Sequence, residues 1–397
     1  MTTEETVNAL LNRGVLVDIL PNKELFRTRM LEGKPMRMYL GADPTSGALH
    51  LSHAKNYMLL EEFRKLGHQV FVLIGDFTAR IGDPTDKATT RQQLSREEVA
   101  HNVTGWLTQI APLMNLNDPD NPPHIVYNND WLSKLTMEDV VNLSSHFTVQ
   151  HILERDMFEK RMNAGKPIYL HEFMYPLMQG YDSVVLDVDV ELCGTDQIFN
   201  ALMGRTLLRQ MKGKEKFVAA VNLMEDPETG ALMSKSQGTG IFLDATPFDM
   251  YGGIMAQPDS MIRVFFVNNT RIPLEEVDRI METNNPRDAK MAVALEITTI
   301  FHGKEVADQA QRNWVKTFSN NEIPTDILEV QAEHGALLID VLVAHNLIES
   351  KMQARRLFEA GAIKDMELDE KITDPHLVIS APRTLKVGKK IFVKILP

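Results

Sequence analysis

The feature that most limits what this chain can fold into is a regular alternation over its first 220 residues. Apolar runs of strand length are separated by stretches with helical spacing. MRMYLGAD (36–43) predicts a strand that ends in a turn. Residues 50–66 predict a helix, with Leu51, Met58, Leu59 and Phe63 on one face and Gly67 as the stop. QVFVLIGD (69–76), HIVYN (124–128), SVVLDVDV (183–190) and KFVAAVN (216–222) predict further strands, and 136–145 and 196–211 predict helices between them. Strands that alternate with helices predict an α/β fold with a mostly parallel sheet covered on both faces.

The pattern changes near Thr246. Residues 248–256, 260–267, 274–281 and 286–318 read as helical, with Pro286 suited to a first turn, and strand signals are weak. SNNEIPT (319–325) is polar, contains a proline and predicts a linker. The last stretch mixes helices (337–344, then 351–360 after Ser350 as a cap) with a terminal strand at 390–396. Three domains are expected, over 1–240, 241–325 and 336–397. A length of 397 residues suits two or three.

Composition narrows the function classes. With 44% apolar and 24% charged residues, disorder is excluded as the main state. No apolar run nears the ~20 residues of a membrane span. The opening MTTEETVNAL lacks a signal-peptide pattern, so a cytoplasmic location is expected. The single cysteine, Cys193, excludes a disulfide framework and a cysteine zinc site. Net charge is −12 but uneven: residues 336–397 carry 10 Lys+Arg against 8 Asp+Glu, and residues 1–335 carry 32 against 46. Beyond Asp374 stand five cations and no acid, which fits either a module that meets a polyanion or a lysine-blunted sheet edge.

Several familiar signatures fail. GTG (238–240) lacks the third glycine of a dinucleotide loop, and no G-x4-G-K-[ST] occurs. His171-Glu172 begins like a zinc-protease helix, but position 175 is tyrosine. No histidine cluster has metal-ligand spacing. Hydride transfer and metalloenzyme chemistry are therefore disfavoured.

Two segments carry chemistry. GADPTSGALHLSH (41–53) joins a strand to a helix N-terminus, where Gly41 and Gly47 let backbone approach a ligand. His50 and His53 share one face of the first helical turn and offer N–H groups to phosphate oxygens. ALMSKSQGTG (231–240) is a glycine-rich loop holding one lysine, Lys235, a type of loop suited to transient stabilisation of a polyphosphate leaving group.

The order of HLSH and, some 180 residues later, LMSKS resembles the HIGH and KMSKS signatures of class I aminoacyl-tRNA synthetases. The resemblance narrows to bacterial tyrosyl-tRNA synthetases with a C-terminal S4-like domain. It rests on YLGADPTSGALHLSH (39–53), GDPTDKATTR (82–91), the Y-x3-Q-x2-D spacing of Tyr175, Gln179 and Asp182, and GTDQIFN (194–200). It implies a Rossmann-like catalytic domain, a helical anticodon-binding domain and a small α+β S4-like domain. It implies L-tyrosine, ATP and tRNA(Tyr) as substrates, Mg2+ arriving with ATP and no protein-held metal. It also implies a homodimer formed through the region near 130–180, with no membrane or DNA partner.

The same resemblance implies residue roles. Tyr39 and Asp182 would bond the phenol. Asp83, Tyr175 and Gln179 would hold the ammonium, with Gln197 near the carboxylate. Gly41, Asp43, Thr45, His50, His53, Gly194, Asp196 and Ser236 would line the ATP site, while Lys87, Arg91 and Lys235 would face the pyrophosphate. In the tail, LLIDVLVAHNLIESKMQARRLFEAGAIKDMELD (337–369) is similar to the S4-type RNA-binding fold. Arg355 and Arg356 on its second helix, with Lys386, Lys389 and Lys390, would meet RNA phosphates.

Taken singly, each residue has an ordinary alternative. Tyr39 suits a core or rim position. Asp83 before Pro84 is a common turn, Asp196 a plausible helix cap, and Tyr175, Gln179 and Asp182 one polar helix face. The set matches the chemistry: a phenol is read by one donor and one acceptor, and adenylation needs cations and N–H donors but no covalent nucleophile. One departure stands out, because Leu232 occupies the place of the first KMSKS lysine. Tryptophan activation is the alternative within the class. An RNA-binding relative without catalysis is the alternative outside it.

Overall fold

The computed structural model describes residues 3–84, 94–233, 240–283, 285–319, 328–333, 335–345, 347–348, 350–368, 370–388 and 391–397. The chain divides into two compact units, Met1–Ala307 and Asp308–Pro397.

In the first unit the alternating runs form a six-stranded sheet of order β1-β6-β5-β2-β3-β4. Its strands are β1 Leu16–Leu20, β2 Arg37–Ala42, β3 Gln69–Ile74, β4 His124–Tyr127, β5 Val190–Gly194 and β6 Phe217–Val221. Strands β2 to β6 run parallel, and β1 closes one edge antiparallel to β6. In β3 the side chains of Val70 through Ile74 are all buried, which explains the unbroken apolar run: a strand covered on both faces has no solvent side to alternate with. From β2 the chain fills one flank with β3 and β4, then returns to the other side of β2 with β5 and β6. The strand order reverses between β2 and β5, so a crevice opens at their carboxyl ends, where Gly41 and Gly194 lie.

Two expected elements differ. Residues 183–186 are not strand but the last turn of a helix, Met174–Leu186, which Asp187 ends in the left-handed conformation at φ 49°. The run SVVL is apolar because this helix packs against Ile198–Lys212, and a short apolar run alone does not separate helix from strand. The long helix expected over 286–318 is broken into Pro286–His302 and Lys304–Ser319 by Gly303 at φ 82°. Strand β1 had no clear sequence signal, because only Leu16 and Ile19 of its residues are fully buried.

The first unit continues through helices Pro247–Met255, Met261–Asn269, Leu274–Thr283 and Pro286–His302. Arg13 ties this region to the N-terminus. Its guanidinium donates to the carbonyls of Phe266, Val267, Thr270 and Ile272 and so serves groups that a helix end leaves unpaired.

The second unit holds a five-stranded sheet of order β7-β11-β10-β8-β9. These are β7 Leu328–Gln331, β8 Ile363–Asp365, β9 Glu370–Ile372, β10 Arg383–Val387 and β11 Ile391–Leu396, with only the β7–β11 pair parallel. Helices Leu338–Ala344 and Lys351–Glu359 cover it through a core that includes Leu338, Leu342, Phe358, Ile363, Leu385 and Val393. Among the described residues no helix is long and apolar enough to cross a membrane.

Candidate active site

The turn after β2 leads into helix Leu51–Lys65, with His50 as its N-cap in an extended conformation. The His50 backbone N–H donates to His53 Nδ1 at 3.2 Å. Neutral His53 therefore carries its proton on Nε2. Burial pushes His50 down to about 4. It pushes His53 down to about 3, with repulsion from His50 and Lys55 adding to the effect. Both rings are uncharged at neutral pH and act as hydrogen-bond donors rather than cations. A pH profile of adenylate formation should accordingly lack a histidine inflection near 6.5, and activity should hold as pH falls toward 5. An inflection near 6.5 that His53→Asn removes would contradict this.

The second motif meets the first through backbone contacts. Ser52 Oγ donates to the Met233 carbonyl at 3.3 Å, and Leu51 N–H donates to the Ile241 carbonyl at 3.0 Å. The residues on either side of 234–239 are thus anchored on the first turn of the HLSH helix. Lys235 and Ser236 themselves lie outside the described residues, as do Lys87 and Arg91.

Helix Met174–Leu186 presents Tyr175, Gln179 and Asp182 toward the strand ends. Asp182 and Tyr39 are both 1% exposed. Asp182 Oδ1 accepts from Trp131 Nε1 at 2.7 Å, and its Oδ2 accepts from Asn128 Nδ2 at 3.2 Å. Burial raises the Asp182 carboxyl well above the ordinary aspartate range, and these two donors oppose the rise. Burial also raises the Tyr39 phenol, as do the nearby carboxylates of Glu191 and Asp182. Asn128 Nδ2 reaches Thr78 Oγ1 at 2.9 Å, Thr78 donates to Asp43 Oδ1 at 2.7 Å, and Tyr175 donates to Asp43 Oδ2 at 2.9 Å. Gly75 is required beside this chain, since a Cβ there would stand 2.0 Å from Asp43 Oδ1.

A second chain of hydrogen bonds runs along the other side. Gln179 donates to Glu191 Oε1 at 3.0 Å and accepts from Asn200 at 3.0 Å. Asn200 also donates to Gln197 at 2.8 Å, and Gln197 donates to Asp83 Oδ2 at 2.6 Å. Asp83 is further paired with the Arg155 guanidinium at 3.2 Å. Asp196 lies exposed in a short 3-10 turn, Thr195–Gln197, directly after Gly194. Thr45 is exposed in the loop after β2, with its N–H on the Asp43 carbonyl at 2.8 Å.

The structure thus brings Asp43, Tyr175 and Asp182 into one bonded chain, and Gln179, Gln197 and Asp83 into another. Tyr39 joins the second through Ser183 and Glu191. Sequence reading missed Asn128, Trp131, Arg155, Ser183, Glu191, Asn200 and Lys216, which connect these residues. It also missed Lys55, 2% exposed, whose ammonium burial pushes down to about 7 and which donates to Asn56 at 2.8 Å. Their signal was weak because Trp131 reads singly as an apolar packing residue and each of the others as a side chain in contact with water. In the second unit Arg355 and Arg356 are exposed on helix Lys351–Glu359, and Lys386 lies over the Phe392 ring at 5.3 Å. Lys389 and Lys390 lie outside the described residues.

Comparison with known proteins identifies the family. The family model described as tRNA synthetases class I (W and Y) matches residues 31–319. A tyrosine–tRNA ligase of Carboxydothermus hydrogenoformans is 42% identical over 98% of this chain and 97% of its own. One from Thermotoga maritima is 40% identical over 100% of this chain and 98% of its own. Among solved structures, a C-terminally truncated mitochondrial tyrosyl-tRNA synthetase of Aspergillus nidulans superposes with a TM-score of 0.68 at 24% identity, covering 79% of this chain and 94% of that one. With two motifs pinned together at the reversal point of the sheet and full-length similarity to ligases of one kind, the chain belongs to the class I tRNA synthetases of the tryptophan and tyrosine type.

Proposed function

We infer that this chain is a tyrosine–tRNA ligase: it activates L-tyrosine with ATP to tyrosyl-adenylate and diphosphate, then transfers tyrosine to the 3′ end of tRNA(Tyr). The observation that carries the amino-acid assignment is the burial near one another of a phenol, Tyr39 in the middle of β2, and a carboxylate, Asp182 on helix Met174–Leu186. An indole has one donor and no hydroxyl, so a site offering both a donor and an acceptor favours tyrosine over tryptophan. ATP–pyrophosphate exchange with a panel of amino acids tests the reading, and exchange dependent on tryptophan, or on none, would end it.

In this reading the tyrosine carboxylate attacks the α-phosphorus in line and the α–β bond breaks. Catalysis rests on positioning and electrostatics. Tyr39 and Asp182 bind the phenol. Asp83, Tyr175 and Gln179 take the ammonium, with Gln197 beside the carboxylate. Gly41, Asp43, Thr45, His50, His53, Gly194, Asp196 and Ser236 form the ATP site. Lys87, Arg91 and Lys235 meet the pyrophosphate. Mg2+ would come bound to ATP phosphates, and among the described residues no group of three or more His, Cys, Asp or Glu is arranged to hold it. Tyr39→Phe should lower the ratio of kcat/KM for tyrosine over phenylalanine about tenfold, the worth of one neutral hydrogen bond. An unchanged ratio would remove Tyr39 from the phenol pocket.

The remaining parts of the reading concern partners. The 241–325 region would bind the anticodon arm. The S4-like 336–397 region would hold tRNA phosphates through Arg355, Arg356, Lys386, Lys389 and Lys390. Deleting 336–397 should leave adenylate formation within about threefold. It should lower tRNA charging by roughly 10²-fold or more and reduce the salt dependence of tRNA binding. Normal charging by the truncated protein would leave that region without this role. A homodimer is supported by exposed apolar side chains at Met137, Val141, Val149, Met162 and Leu170, all near the region expected to pair. The same reading expects a cytoplasmic location.

A further inference from the structure

Beneath the tyrosine site lies an ion pair that the assigned roles do not use. The Lys216 side chain is fully buried and Glu191 is 2% exposed, and the two are in direct contact. Lys216 Nζ also donates to Ser183 Oγ at 2.6 Å and stands 5.8 Å from the centre of the Tyr39 ring. Ser183 Oγ lies 3.1 Å from the Tyr39 hydroxyl and 3.3 Å from Glu191 Oε2. The other carboxylate oxygen, Glu191 Oε1, accepts from Gln179. The chain makes room for the ammonium with Gly204, where a Cβ would stand 2.7 Å from Lys216 Nζ and 2.9 Å from Ser183 Oγ.

The direction of donation follows from the groups at the ends. An ammonium has three donors and no acceptor, so Ser183 must accept from Lys216. The Ser183 proton then has two places to go, Glu191 Oε2 or the Tyr39 oxygen. The Ser183 hydroxyl donates to Glu191 Oε2 at 3.3 Å, either hydroxyl can donate across the 3.1 Å between Ser183 and Tyr39, and the Tyr39 hydroxyl is itself bonded to Glu191. At the far end, the Asp182 oxygens both accept, from Trp131 and Asn128. A phenol set between Tyr39 and Asp182 gives its own proton to the carboxylate and must accept from Tyr39.

We propose that Lys216 is a positioning residue for amino-acid selection: with Glu191 and through Ser183, it holds the Tyr39 hydroxyl in place at the phenol end of the amino-acid site. Glu191 carries the same ion pair to Gln179, so one buried charge pair orients both polar ends of the amino-acid site. The inference rests on the tyrosine-activating function proposed above and adds Lys216, Ser183 and Glu191 to its specificity machinery.

The test is ATP–pyrophosphate exchange with tyrosine and with phenylalanine on the full chain. Two variants are needed. Ser183→Ala cuts the line and leaves both charges of the ion pair in place, and an alanine in a helix is well tolerated. The double variant Lys216→Met with Glu191→Gln removes both charges together, which avoids a lone buried ion. Each should lower the tyrosine-over-phenylalanine ratio of kcat/KM about tenfold, through a higher KM for tyrosine, with KM for ATP unmoved. A purely structural role would depress both amino acids and ATP alike and leave the ratio intact. Ratios within twofold of the parent in both variants would overturn the proposal. A fall in the double variant alone would overturn the serine link. A parent that activates another amino acid and not tyrosine would remove the function itself, and the proposal with it.

Discussion

Lys235→Ala is expected to slow single-turnover tyrosyl-adenylate formation by about 10²–10³-fold, with little change in KM for ATP. Negative charge builds on the pyrophosphate as the α–β bond breaks. A cation that reaches it only at that stage lowers the barrier without tightening ground-state binding, so its loss appears in kcat. The effect should lie toward the upper end of the range because Leu232, 39% exposed, stands where the family usually supplies a second lysine. Leu232→Lys should be neutral or mildly activating. The contacts that anchor the loop flanks, at Met233 and Ile241, are backbone carbonyls held by Ser52 and Leu51, which neither substitution touches. A Lys235→Ala protein within threefold of the parent would mean that Lys87 and Arg91 suffice for the leaving group.

The largest stability effect is expected from Lys216→Met made alone. It strands the Glu191 carboxylate, 2% exposed, without its countercharge. Breaking one side of a buried pair typically costs about 3–5 kcal/mol. For a unit of this size that corresponds to a fall in Tm of roughly 5–8 °C. Adding Glu191→Gln should recover most of the loss, since two neutral groups of similar shape avoid the buried charge. Thermal unfolding of the parent, the single variant and the double variant measures this. A single variant within about 1 kcal/mol of the parent would show that Glu191 finds another partner or takes up a proton.

Much of the site was legible because its residues cluster in short motifs. HLSH and GTDQIFN each keep several candidate positions within a short stretch, where spacing along the chain approaches proximity in space. Tyr175, Gln179 and Asp182 were legible for a related reason: positions three and four apart share a helix face whatever the helix packs against. The strand at β3 was clear because burial on both faces leaves an unbroken apolar run. The run at 183–190 misled because its apolar residues serve helix packing first and strand β5 only afterwards. The change between them depends on one left-handed residue, Asp187, which leaves no mark in hydrophobic pattern.

The sequence by itself determined the alternation of strand and helix, the change to helices near residue 246, and the chemical types needed for adenylation. Only the tertiary structure decided how those types are wired. Asn128 serves Asp182 from 54 residues away, Arg155 meets Asp83 from 72, and Tyr39 reaches Ser183 from 144. The sheet order sets all of these, because β2 and β5 become neighbours only when the chain returns to the far side of β2. Local spacing carries no information about that return. A buried lysine such as Lys216 reads as solvated surface until the fold removes its water, and its charge then has to be answered by partners that the chain supplies from elsewhere.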